Sequence, residues 1–150
     1  MSKFQDLFDL FFEGQKQIRS SSQITLGKLI DKLNKLKTVL NDDTEVWYSF
    51  VNNPQDLIML SSEVKSYRGY YEDLAIAPNI LEGKETVKLK ELKESLENVL
   101  HQTLEGYKGG EFYMDENTPL HIAYWGLTGY PIINFYTEKD KLVLVVNDIL

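Results

Sequence analysis

The sequence predicts a single α+β domain with a mostly antiparallel sheet and about three helices. Three observations lead there. Apolar residues recur at helical spacing in three early and middle segments. Strand-like runs crowd the last third of the chain. Helices are thereby segregated from most of the strands, which is the pattern of an α+β fold. The length of 150 residues suits one domain, and a domain of this size buries enough surface to need no covalent staple.

The first helix is expected near Ser2, where Phe4, Leu7, Phe8 and Phe11 form one apolar stripe. Gly14 and the polar run to Gln23 end that pattern, so residues 1–24 read as an N-terminal helix and hinge and residues 25–150 as the α+β body. Thr25 is a good N-cap for the second helix, whose face carries Leu26, Leu29, Ile30, Leu33, Leu36 and Leu40. Asn41, Asp42 and Asp43 should stop it. Glu45 to Val51 is rich in strand formers, and Asn52, Asn53 and Pro54 read as a turn. The stretch from 55 to 85 gives a weak pattern, with a strand expected over Tyr70 to Ala77 and broken at Pro78.

A third helix carries Leu89, Leu92, Leu96, Val99 and Leu100 on one face, with Gly106 as its expected cap. Short strands are expected over Glu111 to Met114 and Leu120 to Trp125. Tyr130 to Thr137 and Lys141 to Val146 form the clearest hairpin, joined by Glu138, Lys139 and Asp140. A faint internal echo exists. Leu26, Leu29 and Leu33 repeat the spacing of Leu89, Leu92 and Leu96, and each helix precedes an aromatic strand. Any two amphipathic helices share that spacing.

Composition narrows the function. There is no cysteine, which removes disulfides, thiolate metal sites and a cysteine nucleophile. The N-terminus lacks a basic segment followed by an apolar run, and no apolar stretch reaches the ~20 residues of a membrane span. A cytoplasmic location is expected. The formal charge is −7 and the only arginines are Arg19 and Arg68, so duplex nucleic acid is a poor partner. A small anion held by one or two local cations is compatible with that charge.

No phosphate loop, dinucleotide fingerprint, nucleophile elbow or zinc ligand set occurs. His101 and His121 lie far apart in sequence with no evident carboxylate partner, so no catalytic residue, metal or cofactor is assigned. Two segments do concentrate binding chemistry. Tyr67, Arg68, Tyr70, Tyr71, Glu72 and Asp73 place an arginine beside Gly69 and among tyrosines. A guanidinium grips carboxylate or phosphate with two hydrogen bonds and stacks on rings. The bland alternative is a turn in which Arg68 pairs with Glu72 or Asp73. Tyr107, Lys108, Gly109 and Gly110 form the second segment, where consecutive glycines let backbone N–H groups approach an anion. Its bland alternative is a helix cap running into a turn. A third region, Asn117 to Pro119 with Tyr124 to Tyr130, reads as core packing and turns.

The strings SYRGYYEDLAIAP, TVKLKELKESLENVL and EGYKGGEFYMDENTPLHIAYWG, across residues 64–126, resemble a family of small uncharacterised phage and prophage proteins. That resemblance implies a role in host takeover or anti-defence, acting in the host cytoplasm. The expectation is therefore a non-catalytic protein that captures a small anionic, nucleotide-like ligand between the two segments. Two alternatives stand beside it: an acidic inhibitor of a host protein, and a nucleotide-processing enzyme. A homodimer is expected, because Leu142 to Val146 is apolar on both faces; the alternative is a monomer in which the N-terminal helix covers the second face.

Overall fold

The computed structural model describes residues 23–36, 39–68, 72–79, 84–106, 109–124 and 128–148. Among the described residues, two helices and eight strands follow one another: α1 (Leu26–Leu36), β1 (Glu45–Phe50), β2 (Asn53–Arg68), β3 (Glu72–Pro78), α2 (Leu89–Val99), β4 (Thr103–Glu105), β5 (Glu111–Tyr113), β6 (Leu120–Tyr124), β7 (Thr128–Glu138) and β8 (Lys141–Val146). Six of the strands close a barrel in the order β1-β2-β3-β6-β7-β8, and β4 and β5 form a separate ribbon.

This corrects the expected fold class. The protein is a mostly-β closed barrel, not an α+β sheet with about three helices. The expected helix from Ser2 lies outside the described residues. The reason for the correction is closure. β1 pairs in parallel with β8, and β3 in parallel with β6. Those two joints turn two antiparallel meanders, β1-β2-β3 and β6-β7-β8, into a ring without a free edge.

Local chemistry explains the elements. Thr25 Oγ1 accepts the N–H of Lys28 at 3.3 Å and caps α1 as expected. Lys88 N–H donates to Glu91 Oε1 at 3.2 Å, which is half of a capping box on α2. Helix α2 ends at Val99, not near Gly106. Leu100 is its C-cap, and His101 follows with φ 65°, the left-handed position at which helices commonly stop. Gly106 lies between β4 and β5 instead. Strand β2 starts at Asn53, because Val51 and Asn52 alone make the turn. Pro54 is tolerated at that strand start.

Along β1, Val46 and Tyr48 point inward. Along β8, Leu142, Leu144 and Val146 do the same. They form one buried cluster with Leu26, Leu29 and Leu33 of α1 and Leu89, Leu92 and Leu96 of α2. Following the strand directions round the ring, β1 and β6 point the same way. α1 begins beside the start of β6 and α2 beside the start of β1. Both helices therefore close the same end of the barrel. The outer face of the last hairpin is also buried: Val143 is 0% and Val145 7% exposed within a single chain. A second chain is not needed to cover it.

Candidate functional site

The barrel's outer wall carries a second apolar cluster of Val51, Ile133 and Val145, with Tyr136 packed against it. Beside it opens a cleft of about 290 Å³ lined by Pro54, Gln55 and Leu57 from the start of β2 and by Tyr136, Glu138, Lys139 and Lys141 from the β7–β8 hairpin. Antiparallel register sets the lining, with Tyr136 opposite Val143 and Glu138 opposite Lys141. The tight turn between them puts Lys139 at φ 55°, a conformation that side chains with a Cβ rarely take.

The electrostatics of the cleft are mixed but well defined. Lys141 Nζ lies 5.3 Å from the centre of the Trp47 ring, a cation–π distance. The Trp47 indole is held by a 3.0 Å bond from Nε1 to Glu45 Oε1. Burial pushes the Tyr136 phenol above its ordinary pKa, and the Glu138 carboxylate adds to the rise. The Ser49 hydroxyl works the other way. It does so as a side-chain hydrogen-bond partner of Tyr136, and both oxygens are buried away from solvent. Buried polar groups are nearly always paired. A neutral phenol of this kind is a hydrogen-bond donor at neutral pH.

The sequence-predicted residues are placed as follows. Tyr67 and Arg68 end β2, and Glu72 and Asp73 begin β3. The backbone register sets Arg68 opposite Glu72 and Tyr67 opposite Asp73. The side chains of these four, and Tyr70, Tyr71, Tyr107 and Lys108 altogether, lie outside the described residues. Gly109 and Gly110 form the turn of the β4–β5 ribbon with φ of 92° and 86°. Their turn closes on itself, since Gly106 N–H donates to Gly110 O and Gly109 N–H to Gly106 O. The two segments are thus the ends of two hairpins, β2–β3 and β4–β5, and β4 packs against β2.

The ribbon itself faces solvent with an acidic surface. Glu105 stands directly opposite Glu111, and Thr103 opposite Tyr113. Tyr113 is 57% exposed. Its hydroxyl lies 3.0 Å from His101 Nδ1, and His101 Nε2 lies 3.0 Å from Glu116 Oε1. So His101 does have a carboxylate partner, fifteen positions along the chain, which sequence reading missed. His121 is a different case. It is 3% exposed, and burial lowers its pKa to about 4, so it is neutral at neutral pH.

Sequence reasoning also missed the cleft. Glu138, Lys139, Asp140 and Lys141 look like an ordinary turn, and the walls come from residues some eighty positions apart. The one available signal was two lysines flanking a tight turn after an aromatic strand. Among the described residues no group of acidic and histidine side chains could hold a metal ion, and no helix is long and apolar enough to cross a membrane. Comparison with protein-family models, curated proteins and solved structures found no match.

Proposed function

We propose that the protein is a non-catalytic binding protein that captures a small anionic, nucleotide-like ligand in the cleft beside the β7–β8 hairpin. The observation that carries this is the pair of cations, Lys139 and Lys141, that line one cleft together with Tyr136. Lys139 and Lys141 meet the negative groups. The Tyr136 side chain lines the same cleft. Pro54 and Leu57 give the apolar wall on which a flat ring rests. The volume is at the small end of ligand pockets, which favours a mononucleotide over a larger species. The resemblance to phage proteins would make such capture a way of removing a host signal.

Native mass spectrometry of protein purified from cells, followed by calorimetric titration with nucleoside monophosphates and inorganic phosphate, tests the reading. A copurified nucleotide, or binding lost in Lys141→Gln, is the expected result. No bound small anion and no heat on titration would sink it.

A second reading has its own observation. Like charges placed directly across an antiparallel pair destabilise it, yet Glu105 faces Glu111 beside an exposed tyrosine. A basic protein surface docked on the ribbon would offset that repulsion. Copurification of a basic host protein that Glu105→Lys and Glu111→Lys abolish would favour this reading over the first.

A further inference from the structure

The two meanders are joined to their helices by the same bonds, residue for residue. Leu26 N–H donates to Thr118 O at 2.8 Å, and Leu89 N–H to Thr44 O at 2.7 Å. Gly27 N–H donates to Glu116 O, and Lys90 N–H to Asp42 O. Leu120 N–H donates to Ile24 O, and Val46 N–H to Val87 O. Ile24 N–H donates to Ile132 O and Val87 N–H to Leu60 O, both at 2.8 Å. The Gln23 amide donates to Leu120 O where the Thr86 hydroxyl donates to Val46 O.

The turns that enter β1 and β6 also match. Asn41 N–H reaches Thr44 Oγ1 at 3.2 Å, and Asp115 N–H reaches Thr118 Oγ1 at 2.9 Å. Asp43 N–H bonds Asn41 Oδ1 at 2.9 Å, and Asn117 N–H bonds Asp115 Oδ1 at 2.8 Å. The sequences NDDT and DENT carry this shared turn. Two arbitrary amphipathic helices share a leucine spacing, but not an ordered set of cross-chain bonds.

Each of the helix and helix-approach bonds joins one half of the chain to the other. Both parallel joints, β1 with β8 and β3 with β6, do so as well. A half alone would leave two open strand edges and an uncovered helix stripe. The halves are linked covalently only through residues 80–83.

We propose that the chain is a tandem repeat of one α-β-β-β unit, with the β4–β5 ribbon inserted in the second copy, and that two copies associate by exchanging halves, residues 23–79 of one chain closing a barrel with residues 84–148 of the other. The partner is a second copy of this chain, and the surface it fits is the one the two halves already present to each other. Exchange creates no new contacts, so the single chain wins at low concentration through its own tether and the dimer gains as concentration rises. The proposal is independent of the cleft.

Two full-length variants test it. Leu29→Asp disables the first half and Leu92→Asp the second. Each alone should lack the native near-ultraviolet spectrum. Refolded together, they should recover up to half of the wild-type signal in a species of dimer mass, because one intact half from each chain meets in one barrel. Wild-type protein refolded at high concentration should also yield a dimer that light scattering detects. A mixture with no more signal than its separate components, together with a wild-type chain that stays monomeric at every concentration, would overturn the exchange.

Discussion

The side-chain amide of Gln23 reaches 98 residues along the chain to the ring of His121, 3.2 Å from it, while donating to the carbonyl of Leu120 at 2.7 Å. The same amide nitrogen also lies 3.2 Å from the other ring nitrogen, a contact that a neutral ring accommodates. This agrees with its burial and its lowered pKa of about 4. Unfolded, the ring titrates near 6.5. Between those values the unfolded chain binds the extra proton, so this contribution is complete above pH 6.5 and falls as pH drops towards 4. The loss should reach about 3 kcal/mol. Urea melts from pH 7 to pH 4 should show it, and His121→Asn should flatten that part of the profile. An unchanged slope in the variant would assign the acid loss to carboxylates.

Thr86 tests the matching latch in the other half. Its hydroxyl accepts from Leu60 N–H at 2.9 Å and donates to Val46 O, and the residue is 4% exposed. Valine keeps the shape and leaves both buried backbone groups unpaired. Thr86→Val should cost about 1–3 kcal/mol. Gln23→Ala should cost less, because its site is only partly buried. Equal melting temperatures for Thr86→Val and wild type would show that water replaces the hydroxyl.

Much of this architecture was legible in the sequence, and what was not has a physical cause. Thr25 and the α1 leucines were readable because a cap and a helical stripe are local signals. The β7–β8 hairpin was readable because its partners are adjacent in sequence. The sixteen-residue β2 was not. Its segment from Leu57 to Leu60 is continuously apolar, and the run from Ser61 to Lys65 is mostly polar, so no alternation marks it. Barrel closure was invisible because Val46 meets Leu142, and Leu74 meets Leu120, only in three dimensions. The leucine echo between the helices was visible, but its meaning came from hydrogen bonds that no spacing encodes. The cleft was hidden for the same reason: Tyr136 shares its wall with Pro54 and Leu57 only in three dimensions.

Gly27 is where α1 meets the turn into β6. A Cβ there would lie 2.7 Å from Glu116 Cβ and 2.9 Å from Glu116 Cα, so backbone would have to move. The shift would strain the Gly27 N–H to Glu116 O bond of 3.0 Å and disturb the Glu116–His101 contact. Alanine also gains about 1 kcal/mol of helix propensity. The clash should win, leaving Gly27→Ala destabilised by about 1–3 kcal/mol in a thermal melt. A stabilised variant would mean that the turn yields freely.

Lys139 separates binding from stability, because one substitution should move them in opposite directions. Its φ of 55° costs a side chain roughly 1–2 kcal/mol relative to the ordinary helical region. Glycine adopts that conformation freely but has more freedom to lose on folding, a cost of about 0.5–1 kcal/mol. Lys139→Gly should therefore stabilise the fold by about 0.5–1 kcal/mol. The same change removes one of the two cations at the cleft. If Lys139 makes a charge-assisted hydrogen bond to the ligand, affinity should fall by about 1.5–3 kcal/mol, a loss of roughly tenfold to more than a hundredfold. Lys139→Asn is the useful companion, since asparagine tolerates the left-handed region and lacks the charge. It should bind as weakly as the glycine variant with little change in stability. Calorimetric titration and denaturant melts on the three proteins decide the matter. Binding that survives in both variants would take Lys139 out of the site and leave its backbone strain as a feature of the turn alone.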